Sequence, residues 1–447
     1  MKPTTNARVT FPHKFIVLRL KASYIVINGD IGHSIRLSNE DYEVFKDLLR
    51  LCKQNADVDD IIALISYSKS MRKMMLRLLA SAVVLFSNNQ EQSTNCAITR
   101  FPEHVYLGLT DTCNLDCVYC YGSFGDKKVC SYLSFEKAKM LVDELVLNGA
   151  NTIYLTGGEP LINPNCLSIG EYIVSKGLKC VLMTNGALIN ENDIELYKLF
   201  AHVRLSLDSH LSLINDVTRG RGVYEDVISK IELLSKNNIN VYIGSVITQH
   251  NKDTLKEFIL HLRNKYSITD HSFAHYIPSF NNRDHSLSCS IEELIVCDND
   301  ISSTFSDINT TKGIITIFTG NKNWCCGMGV NEVFINPSGD LYPCRMTYTS
   351  ELRGGNIFID GYANSLKKLA KIHEKINVDK LECRSCMYKY LCGGACRVYH
   401  SSFSASIYEN SPDVCKFSEY QIIKHILHKY GLNYTHKFDV FVLETAS

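Results

Sequence analysis

Strand-like and helix-like segments alternate through the middle of this chain. The segments HVYLGLT, TIYLTGG, LKCVLMTNG, HVRLSLD, VYIGSVIT and SFAHYIP are short and apolar, and amphipathic helical patterns separate them. Such alternation, six times over, predicts parallel strands joined by right-handed crossovers. The expected fold class is therefore α/β, with a partial (β/α)6 barrel of the TIM type or a doubly wound sheet. In both, ligands bind at the carboxyl ends of the strands.

The sequence on either side of this alternation has a different pattern. Residues 14–38 predict three strands, and helical patterns follow to about residue 87, the first of them opening with a capping signature at Ser38. Residues 91–101 are polar and read as a linker. From about residue 309 the alternation ends. A hairpin turns at residues 336–339, and the chain beyond it is rich in cysteine. The predicted divisions are 1–90, 91–101, 102–308 and 309–447.

Composition limits the partners and the compartment. Lys plus Arg and Asp plus Glu are equal at 47 each, so no net field attracts nucleic acid or anionic lipid. The amino terminus does not read as a signal peptide, and no apolar run is long enough to span a bilayer. We therefore expect a cytoplasmic protein without nucleic-acid or membrane partners. There its 18 cysteines stay reduced, so their regular spacing indicates metal binding or catalysis.

Three cysteines follow the first strand of the alternation, in the segment DTCNLDCVYC. Cys113, Cys117 and Cys120 supply thiolates, which suit zinc or iron-sulfur clusters. A structural zinc site needs four protein ligands, and no histidine lies nearby in the sequence. A four-iron cluster held by three thiolates instead leaves one iron open to an exogenous ligand. The spacing therefore favours a four-iron cluster over zinc.

The segment resembles the radical S-adenosylmethionine (SAM) superfamily, whose signature is C-x3-C-x2-C with an aromatic residue before the last cysteine. Tyr119 occupies that aromatic position. The resemblance implies that SAM binds the open iron through its amino and carboxylate groups. It also implies that reductive cleavage of SAM gives a 5'-deoxyadenosyl radical, which abstracts a hydrogen atom from the substrate.

Residues at later strand ends match the positions where this family contacts SAM. A plain strand-end turn is the alternative for the TGGEP segment, helix capping is the alternative for Asp208, and a solvated turn is the alternative for the TRG segment. The residues that the resemblance assigns to SAM are Gly157, Gly158, Glu159, Thr184, Asn185, Ser206, Asp208 and Arg219, with Tyr119. Glu159 is expected to accept a hydrogen bond from the SAM ammonium group.

The cysteine-rich tail resembles the SPASM domain, a carboxy-terminal extension of radical SAM enzymes that holds two auxiliary four-iron clusters. Zinc ribbons are the competing interpretation of its C-x2-C pair. The resemblance implies a first auxiliary cluster on Cys326, Cys344 and Cys396 and a second on Cys383, Cys386, Cys392 and Cys415. Cys325 is a further candidate metal ligand, although two adjacent cysteines reach one cluster only with strain. Cys289 and Cys297 are alternatives.

The first 90 residues resemble the PqqD-like precursor-recognition module of peptide-modifying enzymes, which has a winged-helix-like fold. In such modules a leader peptide adds as a strand to the edge of a sheet. A winged-helix DNA reader is the rival interpretation. Residues 1–90 hold 13 Lys or Arg against 8 Asp or Glu, a net charge of +5. That excess suits an acidic leader and is low for a DNA-binding surface.

These resemblances together imply a radical SAM/SPASM maturase of a ribosomally made precursor peptide. It would hold SAM and three 4Fe-4S clusters and take electrons from a flavodoxin or ferredoxin. Carbon-carbon or ether cross-links at aromatic residues are the favoured product; thioether formation from peptide cysteines and epimerisation are alternatives, and an iron-sulfur DNA-binding regulator is a remote one. Arg345 follows Cys344 where sulfatase-maturing relatives place a basic Asp, which argues against formylglycine formation. Cys52, Cys96, Cys130, Cys166 and Cys180 are expected to be packing residues.

Overall fold

A computed structural model describes residues 7–52, 55–66, 68–88, 102–122, 124, 131–281, 284–305, 322–404, 406–434 and 437–444. The predicted linker at 91–101 lies outside these residues, as do Cys96 and Cys130. Cys52, Cys166 and Cys180 are buried, as a packing role requires. Within the described ranges, none of the helices is both long and apolar enough to cross a bilayer.

The amino-terminal region contains the three predicted strands and the helices after them. Antiparallel pairing joins β2, β3 and β4, and the Ser38 hydroxyl accepts a hydrogen bond from the Asp41 amide (3.1 Å) where α1 begins. A second sheet, in the order β5-β1-β6, was not predicted, because its strands are only three or four residues long. The elements are β1 (Ala7–Thr10), β2 (Lys14–Arg19), β3 (Ser23–Asn28), β4 (Ser34–Ser38), α1 (Asn39–Leu51), β5 (Asn55–Asp57), α2 (Val58–Ser66), α3 (Lys69–Ala80) and β6 (Leu85–Asn88).

The central region is the predicted parallel sheet with its helices. The strand order β12-β11-β10-β9-β8-β7 follows the sequence, and every neighbouring pair is parallel. This arrangement confirms an α/β fold with a parallel sheet. The elements are β7 (His104–Thr110), α4 (Phe135–Leu147), β8 (Thr152–Gly157), α5 (Cys166–Ser175), β9 (Lys179–Thr184), α6 (Ile194–Tyr197), β10 (His202–Ser206), α7 (Ser212–Arg219), α8 (Val223–Lys236), β11 (Val241–Ile247), α9 (Leu255–Tyr266), β12 (His271–His275) and α10 (Ile291–Thr304).

The carboxy-terminal region continues the central sheet. Its hairpin turns at residues 336–339 as predicted, with the Gly339 amide donating to the Asn336 carbonyl (2.9 Å). Strand β13 pairs in parallel with β7, so the sheet runs through the predicted division at residue 308. The elements are β13 (Glu332–Ile335), β14 (Asp340–Tyr342), β15 (Gly355–Asn356), α11 (Ile357–Asp360), α12 (Tyr362–Lys375), α13 (Lys389–Cys392), α14 (Arg397–Phe403), α15 (Pro412–Lys429) and β16 (Asp439–Glu444).

The two ends of the chain meet in one sheet. Strand β16 pairs antiparallel with β2 over six residues, so the sheet order is β16-β2-β3-β4. Both faces of this sheet are buried: Phe15 and Val17 pack toward α1 and α3, whereas Ile16 and Leu18 pack on α15 with Ile423. Burial on both faces of β2 explains why FIVL, residues 15–18, is continuously apolar rather than alternating. The amino-terminal module therefore docks on the cysteine-rich region.

Candidate active site

The three-cysteine loop lies at the carboxyl ends of the parallel strands, as predicted. Strand β7 ends at Thr110, and the loop that follows carries Cys113, Cys117 and Cys120. All three thiols are half-buried and line one cavity of about 270 Å³. The predicted residues Tyr119, Gly157, Gly158, Thr184, Asn185, Ser206 and Arg219 line the same cavity. The structure thus brings together residues that the sequence spreads over more than 100 positions.

Gly157 and Gly158 let the end of β8 pass directly beneath the cysteine loop. The Gly158 amide donates to the Thr110 carbonyl (3.0 Å), and the next amide, of Glu159, donates to the Thr112 carbonyl (2.9 Å). A Cβ atom on Gly157 would fall 2.2 Å from the Thr110 oxygen, and one on Gly158 would fall 2.1 Å from the Thr112 oxygen. Neither position tolerates a side chain. The glycine pair therefore fixes the distance between the end of β8 and the cysteine loop.

Glu159 joins the ends of two neighbouring strands from a buried position. Its carboxylate accepts hydrogen bonds from the Thr184 hydroxyl (2.7 Å) and from the amides of Asn185 (2.8 Å) and Leu161 (3.0 Å). Burial raises the pKa of Glu159 to about 7, although the hydrogen bonds from the Asn185 and Leu161 amides oppose the shift. The structure therefore gives Glu159 a structural role; its contact with the SAM ammonium group stays a prediction.

Asp208 and Arg219 form a buried ion pair that also holds Tyr119. Arg219 Nε and Nη2 donate to the two carboxylate oxygens of Asp208 at 2.7 and 3.0 Å. The Tyr119 hydroxyl and the Val246 amide donate to the same carboxylate, and the Arg219 guanidinium lies 5.4 Å from the centroid of the Tyr119 ring. Arg219 lies at the end of α7 and is 5% exposed, so the alternative of a solvated turn is wrong.

Asn185 connects β9 to the cysteine loop. Its side-chain amide donates to Asn114 Oδ1 (2.8 Å) and lies 3.8 Å from the Cys113 sulfur. Ser206 ends β10 and borders the same cavity. Both side chains stand where the sequence predicts a SAM contact, and that contact stays a prediction.

The three loop thiols share an environment that suits a metal cluster. Burial, together with the charges of Glu159, Cys117 and Cys120, raises the pKa of Cys113 to about 12. Burial likewise raises the pKa of Cys117 to about 11, with Cys120 contributing. Without a cation such thiols stay protonated, whereas a cluster binds them as thiolates and offsets the cost of burying the charge. The residues therefore fit the predicted four-iron cluster.

The four cysteines predicted to hold the second auxiliary cluster surround one cavity. Cys383, Cys386, Cys392 and Cys415 all line a cavity of about 520 Å³. Burial, together with the charges of the other three thiols, raises the pKa of Cys392 to about 12. Four converging thiols beside an open volume are the donor set of a four-iron cluster. The structure therefore fits this predicted set.

The cysteines predicted for the first auxiliary cluster form a group of three. Burial raises the pKa of Cys396 to about 11, with Cys326 contributing, and Cys396 in turn contributes to the raised pKa of Cys344. The Cys325 sulfur lies 2.6 Å from Nε2 of His373, and both side chains are buried. Whether Cys325 also binds this cluster stays a prediction. Cys289 and Cys297 lie in the core of the central region.

Sequence reasoning missed two arginines that line the central cavity. Arg204 lies on β10, two residues before Ser206, and Arg345 follows Cys344. The period-2 pattern of a strand could have indicated Arg204, because residues 204 and 206 share a face. No local signal places Arg345, because it reaches the cavity from the hairpin that joins β7.

Comparison with known proteins agrees with this geometry. Residues 107–263 match the family profile of the Radical SAM superfamily. The chain is 28% identical over 278 residues to the antilisterial bacteriocin subtilosin biosynthesis protein AlbA of Bacillus subtilis, covering 58% of each protein and thus less than two thirds of that relative. It is 30% identical over 260 residues to an uncharacterised protein of Methanocaldococcus jannaschii, covering 54% of this chain and 84% of that protein.

A solved structure shares the fold over most of the chain. Streptococcus suis SuiB, crystallised with precursor peptide SuiA, superposes with a TM-score of 0.59 at 17% identity, covering 91% of this chain and 100% of SuiB. At that identity the likeness shows the fold. An α/β sheet with three thiols and a GGE turn at its carboxyl edge is the site of a radical SAM enzyme. This chain belongs to the Radical SAM superfamily.

Proposed function

We propose that this protein is a maturase that cross-links side chains of a ribosomally made precursor peptide. The observation that carries the proposal is the cavity in which the cysteine loop, the GGE turn and the strand-end polar residues meet. When bound, the cluster and SAM supply a 5'-deoxyadenosyl radical that abstracts hydrogen from a substrate. AlbA takes part in bacteriocin biosynthesis by its name, and SuiB was crystallised with a precursor peptide, which supports a peptide substrate.

Residues of this chain give the cavity a fixed shape. Glu159, Thr184 and Asn185 tie two strand ends together, and the Asp208–Arg219 pair ties β10 to α7 and the cysteine loop. A preorganised cavity holds reacting atoms in place and excludes water, which a carbon radical requires. Electrons would come from a flavodoxin or ferredoxin, because radical formation from SAM is reductive.

The amino-terminal sheet offers one edge for a leader peptide. Strand β16 covers the β2 edge, whereas β4 forms the other edge with no strand beyond it in the part of the chain that the structure describes. Peptides bind such edges through backbone hydrogen bonds. Arg36 on β4 is exposed, and Arg77 on α3 lies beside it, its Nη2 atom 3.4 Å from the Arg36 carbonyl. Arg77 already pairs with Asp41 (2.6 Å), so the exposed Arg36 is the positive charge that suits an acidic leader added at β4.

Two kinds of cross-link are candidates for the product. Cross-links at aromatic residues are the expectation from the sequence. The group of Cys326, Cys344 and Cys396 supports a second candidate, thioether formation, because a cluster held by three protein thiols would keep a coordination position for a peptide cysteine. Retention of the peptide's mass with an exchanged Cα hydrogen would instead indicate epimerisation.

The test uses the enzyme reconstituted without oxygen with iron and sulfide, supplied with SAM, a reductant and the short peptide encoded beside its gene. We expect 5'-deoxyadenosine together with a peptide that has lost two hydrogens. Iodoacetamide then separates the candidates, because a thioether consumes a reactive thiol and an aromatic cross-link does not. The proposal would be overturned by a peptide whose mass stays unchanged when the reaction is run in deuterated water. Specific binding of upstream DNA by the protein would also overturn it. The variant C113A is the control without radical chemistry.

A further inference from the structure

Two arginines that line the central cavity have no role in the radical chemistry described above. Arg204 projects from β10, and Arg345 reaches the same cavity from the turn after β14. Arg219 also lines the cavity, but Asp208 neutralises it through two hydrogen bonds. Arg204 and Arg345 have no such acidic partner among the residues that the structure describes, and both line the cavity.

Arg204 is held in place by neutral groups. Its Nη2 atom donates to the Ser272 hydroxyl (2.8 Å), and its guanidinium lies 5.5 Å from the centroid of the Tyr242 ring. Gly244 on the adjacent strand makes room for it, since a Cβ atom there would fall 2.4 Å from Arg204 Nε. Burial lowers the pKa of Arg204, and the charge of Arg345 lowers it further. The two guanidinium groups are therefore close enough to repel each other.

Arg345 is the less constrained of the two. Its guanidinium lies 4.9 Å from the centroid of the Tyr106 ring, and Arg345 is half-buried. The Arg345 guanidinium forms no hydrogen bond and no ion pair with any residue in the described ranges. The charge of Glu332 on β13 acts on the Arg345 guanidinium, but the two side chains form no ion pair within the described residues. All of the donors of this guanidinium remain available to a ligand.

The geometry points to a subsite in which Arg204 and Arg345 bind a carboxylate of the substrate. Guanidinium groups bind carboxylates through paired hydrogen bonds, and two positive charges in a partly buried cavity favour an anionic group. The inference deepens the proposed function and rests on it: the peptide segment that enters the cavity carries an Asp or Glu side chain or a free carboxyl terminus. Aromatic faces at Tyr106 and Tyr242 back both guanidinium groups and suit a flat ligand.

The test measures binding apart from turnover, so that it stands even if no peptide is modified. The reconstituted enzyme is saturated with SAM and examined by ligand-observed NMR with three probes. N-acetylglutamate α-amide carries only a side-chain carboxylate, N-acetylglutamine carries only an α-carboxylate, and N-acetylglutamine amide carries neither. The variants are R345Q, R345K and R204Q, with R353Q as the control, because Arg353 is exposed and paired with Asp340.

We expect one carboxylate probe to bind at least roughly tenfold more tightly than the amide, which is the size of a charge-assisted hydrogen bond. The probe that binds tells a side-chain carboxylate from a carboxyl terminus. R345Q and R204Q should each abolish that preference, R345K should retain part of it, and R353Q should leave it intact. Iron content and circular dichroism confirm that each variant is folded.

Three results would overturn the subsite. They are equal binding of all three probes, an unchanged preference in R345Q, and a loss of SAM affinity in R345Q as large as the loss of probe binding, which would assign Arg345 to the SAM carboxylate. The proposed function fails separately, when wild-type enzyme leaves the neighbouring peptide unmodified. With a modified peptide in hand, R345Q should raise KM for it roughly tenfold, and changing its acidic residues to amides should have the same effect.

Discussion

Gly158 lies directly beneath Thr112, so close that a Cβ atom on it would fall 2.1 Å from the Thr112 carbonyl oxygen. The Glu159 amide, next in the chain, donates a hydrogen bond to that same oxygen (2.9 Å). The end of β8 and the start of the cysteine loop therefore behave as one unit. A change in the glycine pair should act on the cluster through this contact.

The variant G158A should displace the cysteine loop, because the new methyl group meets backbone atoms that cannot rotate away. We expect loss of roughly four irons per chain, those of the SAM-binding cluster, and loss of SAM cleavage. Iron analysis and 5'-deoxyadenosine assays measure both. G177A is the control for backbone strain alone, since Gly177 has a φ of +80° but a Cβ atom there meets nothing within 4 Å. Full iron in G158A would contradict the prediction.

Removal of the Asp208 charge should destabilise the protein strongly. Asp208 neutralises Arg219 and accepts hydrogen bonds from Tyr119 and Val246, and both members of the ion pair are buried. D208N leaves the guanidinium without a counter-charge, at a cost of about 3 kcal/mol, and thermal unfolding should show a lower midpoint. D143N is the control, because Asp143 forms a surface pair with Lys176 that water screens, so the midpoint should change little.

Cysteine variants should separate ligands from packing residues in the tail. C383S removes one of the four thiols around the larger cavity, so we expect roughly four fewer irons per chain while SAM still binds. C289S is the matched control, because Cys289 is equally buried but packs in the core of the central region. Equal iron in the two variants would refute the assignment of the second cluster.

Cys325 and Cys326 should differ although they are neighbours. Cys326 groups with Cys396, whereas the Cys325 sulfur contacts His373. C326S should therefore lose the iron of the first auxiliary cluster, and C325S should keep it. Iron analysis and low-temperature electron paramagnetic resonance of the reduced proteins measure the difference. If C325S loses as much iron as C326S, Cys325 is a ligand as the sequence first suggested.

Glu159 should make stability depend on pH. Its pKa is about 7 in the folded protein against an ordinary value of 4.5, because it is buried. The folded state therefore keeps a proton that the unfolded chain releases between these values, so stability is complete below pH 4.5 and is lost as pH rises through 7. The loss is about 3 kcal/mol.

The measurement is the difference in unfolding free energy between wild type and E159Q, without SAM, at pH 5 and pH 8. The advantage of wild type should shrink as pH rises, because only wild type carries the titrating carboxyl. E171Q, which changes an exposed residue on α5, is the control and should show no such trend. A difference that is flat with pH would mean that Glu159 is ionised throughout.

The sequence by itself determined the features that depend on residues close together in the chain. Each strand and most helices of the central region follow from periodicity, and the spacing of Cys113, Cys117 and Cys120 identified the metal loop because those ligands lie within eight residues. The α7 helix was missed, since its eight residues carry the TRG segment that reads as a turn.

Tertiary structure decided which distant residues meet. Pairing of β13 with β7 placed Arg345 in the cavity, and pairing of β16 with β2 left β4 as the other edge of the amino-terminal sheet within the described residues. Packing of α12 brought His373 to Cys325. These contacts depend on strand pairing and burial between segments far apart in the chain. Their free energy comes from the assembled core, which no local pattern of residues encodes.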